Sequence, residues 1–133
     1  MREIKFRAWH TVMNNMFSAE EMGQDELTMA VDGRGFVNVS GQSPKLSQYA
    51  GLFMIPMQFT GMLDKNGKEI YEGDIITGVN FKGYEIKNPV IWWGSGWYAG
   101  YDDPHNGMRI SVDSLYSISN IEIIGNIYEK EVK

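Results

Sequence analysis

Met57-Gln58-Phe59-Thr60-Gly61-Met62-Leu63-Asp64-Lys65-Asn66-Gly67-Lys68-Glu69-Ile70-Tyr71-Glu72-Gly73-Asp74-Ile75-Ile76 decides the fold. Asn66-Gly67 between two β-rich runs is a strong hairpin signal. A two-residue loop at Asn66-Gly67 would set Asp64 against Glu69, two like charges, and would mix apolar and charged side chains on one face. A type I turn over Asp64-Lys65-Asn66-Gly67, ending in a glycine bulge, pairs Asp64 with Lys68 instead. That register collects Met57, Phe59, Leu63, Tyr71 and Ile75 on one face. It leaves Gln58, Thr60, Glu72 and Asp74 on the other, and it sets the Tyr71 ring over Gly61. The bulged register is therefore expected. Glu72-Gly73-Asp74 then breaks the strand, because Gly permits a bend and the Asp carboxylate bonds nearby amides. A hairpin, a Gly-Asp bend and a new apolar strand suit a small SH3-like barrel.

The same residues resemble the signature of the YopX family of phage and prophage proteins. The resemblance rests on Met57 to Gly61 and Asp64 to Ile75. The opening Arg2-Glu3-Ile4-Lys5-Phe6-Arg7-Ala8-Trp9 and the closing Ile123-Ile124-Gly125-Asn126-Ile127-Tyr128-Glu129 agree with it. It implies a cytoplasmic, phage-encoded protein with an SH3-like barrel in its C-terminal part. It implies no catalytic residues.

Outward from the hairpin, the chain reads as mainly β (β-rich α+β). A β-rich N-terminal region, residues 1–56, is expected to pack on a small barrel formed by residues 57–133. Ile4, Phe6 and Ala8 alternate with Lys5, Arg7 and Trp9 in a first strand. Met13-Asn14-Asn15 then turns into a second strand, since Asn tolerates positive φ. Ser18 and Glu21 have capping-box spacing for a short helix that Gly23 ends. Asp25 to Val31 and Phe36 to Val39 read as a hairpin with its tip at Asp32-Gly33-Arg34-Gly35. Residues 40–56 are the least regular, a turn followed by a short helix or docked loop, with Ile55-Pro56 opposing helix. Ile75 to Phe81, Tyr84 to Trp93, Trp97 to Tyr101 and Ile121 to Tyr128 read as strands joined at Lys82-Gly83 and Gly94-Ser95-Gly96. Ser114 to Ser119 is ambiguous.

The chain has 133 residues, 43% of them hydrophobic, and a net charge of −5. That composition supports one folded domain, or one with an elaborated N-terminal part, and opposes disorder. The absence of Cys excludes disulfides, thiolate metal sites and a Cys nucleophile. No apolar run is long enough to span a bilayer and no signal peptide is present, so a cytoplasmic location is expected. Residues 1–56 hold five basic and six acidic residues; residues 57–133 hold seven basic and eleven acidic. The acidic C-terminal part weighs against nucleic-acid binding driven by phosphate contacts, which needs clustered Lys and Arg.

Binding candidates are aromatic. Trp92 and Trp93 are adjacent and so face opposite sides of a strand. One is expected to enter the core while the other covers the outer surface or meets a partner. Trp93, Trp97 and Tyr98 around Gly94-Ser95-Gly96 read either as interface anchors or as side chains packed within the protein. Lys5, Arg7 and Trp9 share a strand face that reads either as solvated surface or as an anion-binding and base-stacking strip. Nine Met supply adaptable filling for a core or an interface. Asp102-Asp103-Pro104-His105 holds metal-compatible side chains but is also a common turn sequence, and no metal site is expected. Glu69, Glu72 and Asp74 read as solvated carboxylates rather than acid–base groups. No nucleophile elbow, phosphate loop or zinc-protease motif occurs. A non-enzymatic protein is expected, without cofactor, that binds a protein partner or itself. Nucleic-acid binding through strand aromatics and a local basic patch is the alternative.

Overall fold

The computed structural model describes residues 3–24, 27–29, 36–38, 54–102, 105 and 108–129. The chain forms two compact units, Glu3–Gln58 and Phe59–Lys133.

In the first unit, β1 (Phe6–His10) pairs antiparallel with β2 (Asn15–Phe17), with Ala8 opposite Phe17. The turn between them puts Asn14 at φ 54°, as Asn tolerates. The His10 Nδ1 accepts the Met13 N–H at 3.0 Å and holds that turn. Helix α1 (Ala19–Gln24) starts on the expected capping box: Glu21 N–H donates to Ser18 Oγ at 3.1 Å, and Ser18 N–H donates to Glu21 Oε1 at 3.3 Å. The helix continues one residue past Gly23. Strands β3 (Leu27–Met29) and β4 (Phe36–Asn38) form the expected antiparallel hairpin. Its tip at Asp32-Gly33-Arg34-Gly35 and residues 40–53, for which the sequence suggests a turn and then a short helix or docked loop, lie outside the described residues. Ala8, Met22, Phe36 and Met54 form the buried cluster of this unit.

Strand β5 (Met54–Leu63) serves both units. Its first half pairs with β1, Phe6 opposite Gln58 and His10 opposite Met54. Its second half pairs with β6 (Glu69–Tyr71). The β5–β6 turn has the bulged geometry expected from the sequence. Gly67 N–H donates to Asp64 O at 3.0 Å, Asp64 N–H donates to Lys68 O at 2.7 Å, and Gly67 has φ +80°.

Beyond the turn the expected faces need correction. Leu63 lies opposite Glu69, but Tyr71 lies opposite Phe59, so two extra residues bulge from β5. Gly61, at φ +87°, sits in that bulge. Tyr71 therefore does not cover Gly61; its ring meets that of Phe59, with centroids 5.5 Å apart. Phe59 and Thr60 are consecutive and both buried, so the inward side of β5 changes at the bulge. Leu63, expected inside, is exposed, while Ile70 is fully buried. Thr60 and Asp74, expected on a polar face, are buried. Both are bonded: Thr60 Oγ1 donates to Ile70 O at 2.7 Å, and Asp74 Oδ2 accepts the Tyr71 N–H at 2.8 Å. The Asp74 bond closes the bend that Gly73 permits.

The rest of the second unit is a five-stranded antiparallel sheet in the order β10 (Arg109–Ser114), β9 (Gly96–Asp102), β8 (Glu85–Trp93), β7 (Asp74–Val79), β11 (Ser119–Asn126). The sheet curls as a half-barrel, the form that the expected barrel takes. Strand β10 is not apparent from the sequence, and the ambiguous Ser114–Ser119 segment holds the short 3-10 turn Leu115–Ser117. Ile70, Ile76, Val90, Trp97, Ala99, Leu115, Ile118 and Ile121 form the core. Gly78 lets the chain around Ile118 close over β7, since a Cβ there would stand 2.6 Å from Ile118 Cγ2 and 2.9 Å from Ser119 O.

The β5–β6 turn is tied to this sheet through Asp64. The carboxylate accepts Asn66 N–H at 2.8 Å and Lys68 N–H at 2.9 Å on Oδ1, and Ile123 N–H at 3.1 Å on Oδ2. Lys65 N–H adds a bond to Ile121 O at 2.8 Å. The turn thus occupies the edge of β11 opposite β7, where unpaired backbone groups would otherwise be left. The partly exposed Lys65–Glu122 ion pair at 3.2 Å adds little. Burial raises the Asp64 pKa, but the backbone N–H groups of Lys68, Ile123 and Asn66 and the Lys68 charge lower it more, so the carboxyl ends below its ordinary 3.8.

This turn can be tested in two ways. The folded-state carboxyl ionises below its unfolded value, so its contribution is complete above about pH 4 and drains away as pH falls through the folded value. Asp64→Asn keeps the shape but loses one acceptor oxygen, and should cost about 1–3 kcal/mol at neutral pH. Urea midpoints measured from pH 7 to pH 3 should converge for the two proteins at the acid end; parallel curves would refute the role of the charge. Gly67→Ala should cost about 1–2 kcal/mol from positive φ alone, because a Cβ there has open space. Asn66→Ala should cost less, because Asn66 is bound through its backbone N–H. Equal losses in thermal unfolding would contradict the turn type.

Candidate functional site

Two turns of the second unit are built alike. In the β7–β8 connection, Gly83 N–H donates to Asn80 O at 2.9 Å, Asn80 N–H donates to Tyr84 O at 2.9 Å, and Gly83 has φ +87°. The Asn80 Oδ1 accepts Lys82 N–H at 3.1 Å and Tyr84 N–H at 3.0 Å. This is the bonding of Asp64 with Asn66 and Lys68, repeated with Asn in place of Asp. The repetition is present in the sequence as Asp-Lys-Asn-Gly-Lys and Asn-Phe-Lys-Gly-Tyr, with the Asx residue three positions before Gly. The sequence marks the second turn at Lys82-Gly83, but only the hydrogen bonds make the likeness plain.

The two tips differ in what they show. The first is stitched to β11. The second projects Phe81 and Tyr84, which are 72% and 67% exposed. The Lys82 ammonium lies over the Phe81 ring, 5.7 Å from its centroid. A groove beside this tip is lined by Phe81, Lys82, Tyr84, Lys87, Tyr101 and Asp113. These aromatics were not among the candidates read from the sequence. Their signal was present, as two aromatic residues flanking a polar Gly turn, where no core position calls for them.

The second aromatic surface is the end of the β8–β9 hairpin. Trp92 lies opposite Trp97, and Trp93 opposite Gly96. The expected division, with one of the adjacent Trp residues in the core, does not hold. Trp92 and Trp93 are 46% and 44% exposed, and Trp97 takes the core position at 5%. Both lie at the end of β8. Each exposed ring is braced edge-on: Trp92 against Trp97 with centroids 5.0 Å apart, and Trp93 against Tyr98 at 5.3 Å. Tyr98 is half-buried. Trp97 therefore supports the surface rather than forming it.

The strip expected at Lys5, Arg7 and Trp9 is engaged within the protein. Trp9 is buried. The Arg7 Nη2 lies 3.8 Å from the Met57 sulfur, and Lys5 pairs with Glu3 at 3.3 Å. Base stacking by Trp9 would require it to leave its packing.

For acid–base chemistry, Asp74 is committed to the bend above, and burial, followed by the Glu72 charge, pushes the Tyr128 phenol up from 10.0. Among the described residues no three His, Asp or Glu side chains gather as a metal site. Asp103, Pro104 and the side chain of Asp102 lie outside the described residues, and His105 is exposed. No helix among the described residues is long and apolar enough to cross a membrane.

The geometry agrees with what comparison shows. No curated protein matches the sequence. The fold is similar to that in the crystal structure of protein EF1440 from Enterococcus faecalis, with a TM-score of 0.60 and 22% identity over 97% of this chain and 96% of that one. The family model described as YopX protein matches residues 5–132, a span that contains both the Asp64 turn and the closing strand, and the chain belongs to the YopX family.

Proposed function

We propose that the protein is a non-enzymatic interaction module that docks a protein partner or a second copy of itself. The reading rests on Trp92 and Trp93, each exposed and each braced by a ring of the neighbouring strand. Two indoles nearly half exposed at one hairpin end, on opposite faces of its strand, are costly to leave in water and well suited to anchor contacts. Their edge-on supports hold them in place beforehand, so little side-chain entropy is lost on docking. The acidic balance of residues 57–133 favours a partner surface that is neutral or basic around the aromatic contact. In keeping with the family resemblance, the setting proposed is the bacterial cytoplasm, with a phage or prophage as the source.

Nucleic acid is the weaker reading, since the strip that was to serve it is engaged within the first unit.

The test uses light scattering for self-association and affinity capture from host cells for other partners, each with the native protein and the Trp92→Ala/Trp93→Ala variant. Loss of two anchors should weaken the complex at least about a hundredfold, with the circular dichroism spectrum unchanged. A monomer with no partner that depends on these residues would refute the proposal.

A further inference from the structure

From the groove beside the β7–β8 tip we infer a second binding site, one that takes an extended, proline-rich peptide segment. The inference rests on the interaction-module reading but uses a different surface.

Three features of the groove point to that chemistry. Its walls carry three exposed rings, Phe81, Tyr84 and Tyr101. Pyrrolidine rings pack well on aromatic faces, and a polyproline segment is already extended, so it loses little entropy on docking. The turn that carries Phe81 and Tyr84 is held by both Asn80 hydrogen bonds, so the rings project from a fixed backbone.

The charges decide against a polyanion. Lys82 and Lys87 are balanced by Glu85 and Asp113 in the same lining. A nucleic acid gains affinity by displacing counterions with clustered cations, and this groove has no net positive charge to offer within an acidic chain. A neutral peptide meets no such penalty, and charged residues flanking its prolines would find an opposite charge on the groove at either sign.

Hydrogen-bonding capacity agrees. Proline segments present backbone carbonyls and no N–H at each Pro. The lining supplies the matching donors in the Tyr84 and Tyr101 hydroxyls and the Lys ammonium groups. Tyr hydroxyls and Lys ammonium groups suit a ligand rich in acceptors and poor in donors.

The experiment is a titration of the full isotope-labelled chain, followed by NMR amide and indole signals, with three probes: decaproline, a Gly-Ser peptide of equal length and oligo(dT). Decaproline should move the signals of Phe81, Lys82, Tyr84 and Tyr101, and Tyr84→Ala should weaken its binding about tenfold or more. Phe81→Ala, equally exposed, should act in the same direction, which guards against a local defect in one variant. The Gly-Ser peptide should not compete. No response to decaproline, an equal response to the Gly-Ser peptide, or shifts confined to the Trp92 and Trp93 indoles would overturn the groove assignment. The last outcome would leave the Trp surface standing, and the light-scattering result stands or falls separately. A salt-dependent response to oligo(dT) at the groove would overturn it in favour of nucleic acid.

Discussion

The Asp64 carboxylate is the interaction on which the second unit depends. One oxygen closes the β5–β6 turn through Asn66 and Lys68, and the other reaches Ile123 of β11, fifty-nine residues away. Burying a carboxylate is costly unless it is bonded, and here three backbone N–H groups satisfy it. The same turn supplies Lys65 N–H to Ile121 O, so two of the edge groups of β11 are occupied. Without this tie the half-barrel would leave the outer edge of β11 open, and the β5–β6 turn would lose its anchor to the five-stranded sheet.

The family signature is explained by that requirement. Asp64, Asn66, Gly67, Gly73 and Asp74 are turn-making residues, and each serves the backbone. They contribute acceptors for amides, small residues at positive φ, and a carboxylate that closes a bend. Nothing in their arrangement calls for a substrate. Membership of the family therefore speaks to the fold, and function has to be sought at side chains that the fold leaves exposed without a structural reason. The paired turns make this contrast concrete. Asp64 and Asn80 hold their turns by the same two bonds. Only Asp64 has a second acceptor oxygen for a neighbouring strand; Asn80 carries an amide nitrogen there and leaves its tip to solvent, with Phe81 and Tyr84 on display.

The aromatic residues at the end of the β8–β9 hairpin follow a related logic. Trp97 lies in the core and Trp92 rests edge-on against it; Tyr98 does the same for Trp93. At Trp92 the hydrophobic interior is continued outward by a ring contact, and Trp93 has Tyr98 to rest on.

Local chemistry was legible in the chain alone. The bulged turn at Asp64–Gly67, the Gly73-Asp74 bend, the Ser18–Glu21 capping box and the positive φ at Asn14 each depend on residues within four positions of one another, and each was readable as such. Which side chains lie inside was not. The inward side of β5 changes at the bulge around Gly61, where Phe59 and Thr60 are both buried; Ile70 is buried, Leu63 is exposed, and Tyr71 meets Phe59 instead of covering Gly61. Strict alternation carries no sign of such a change, because a bulge alters pairing and facing without any change in composition. The exposure of Trp93 with Trp92, the burial of Trp9 and Trp97, and the gathering of Phe81, Tyr84 and Tyr101 around one groove were likewise settled only by strand pairing. Short-range hydrogen bonds are written in neighbouring residues, whereas a surface is made by residues brought together from different strands.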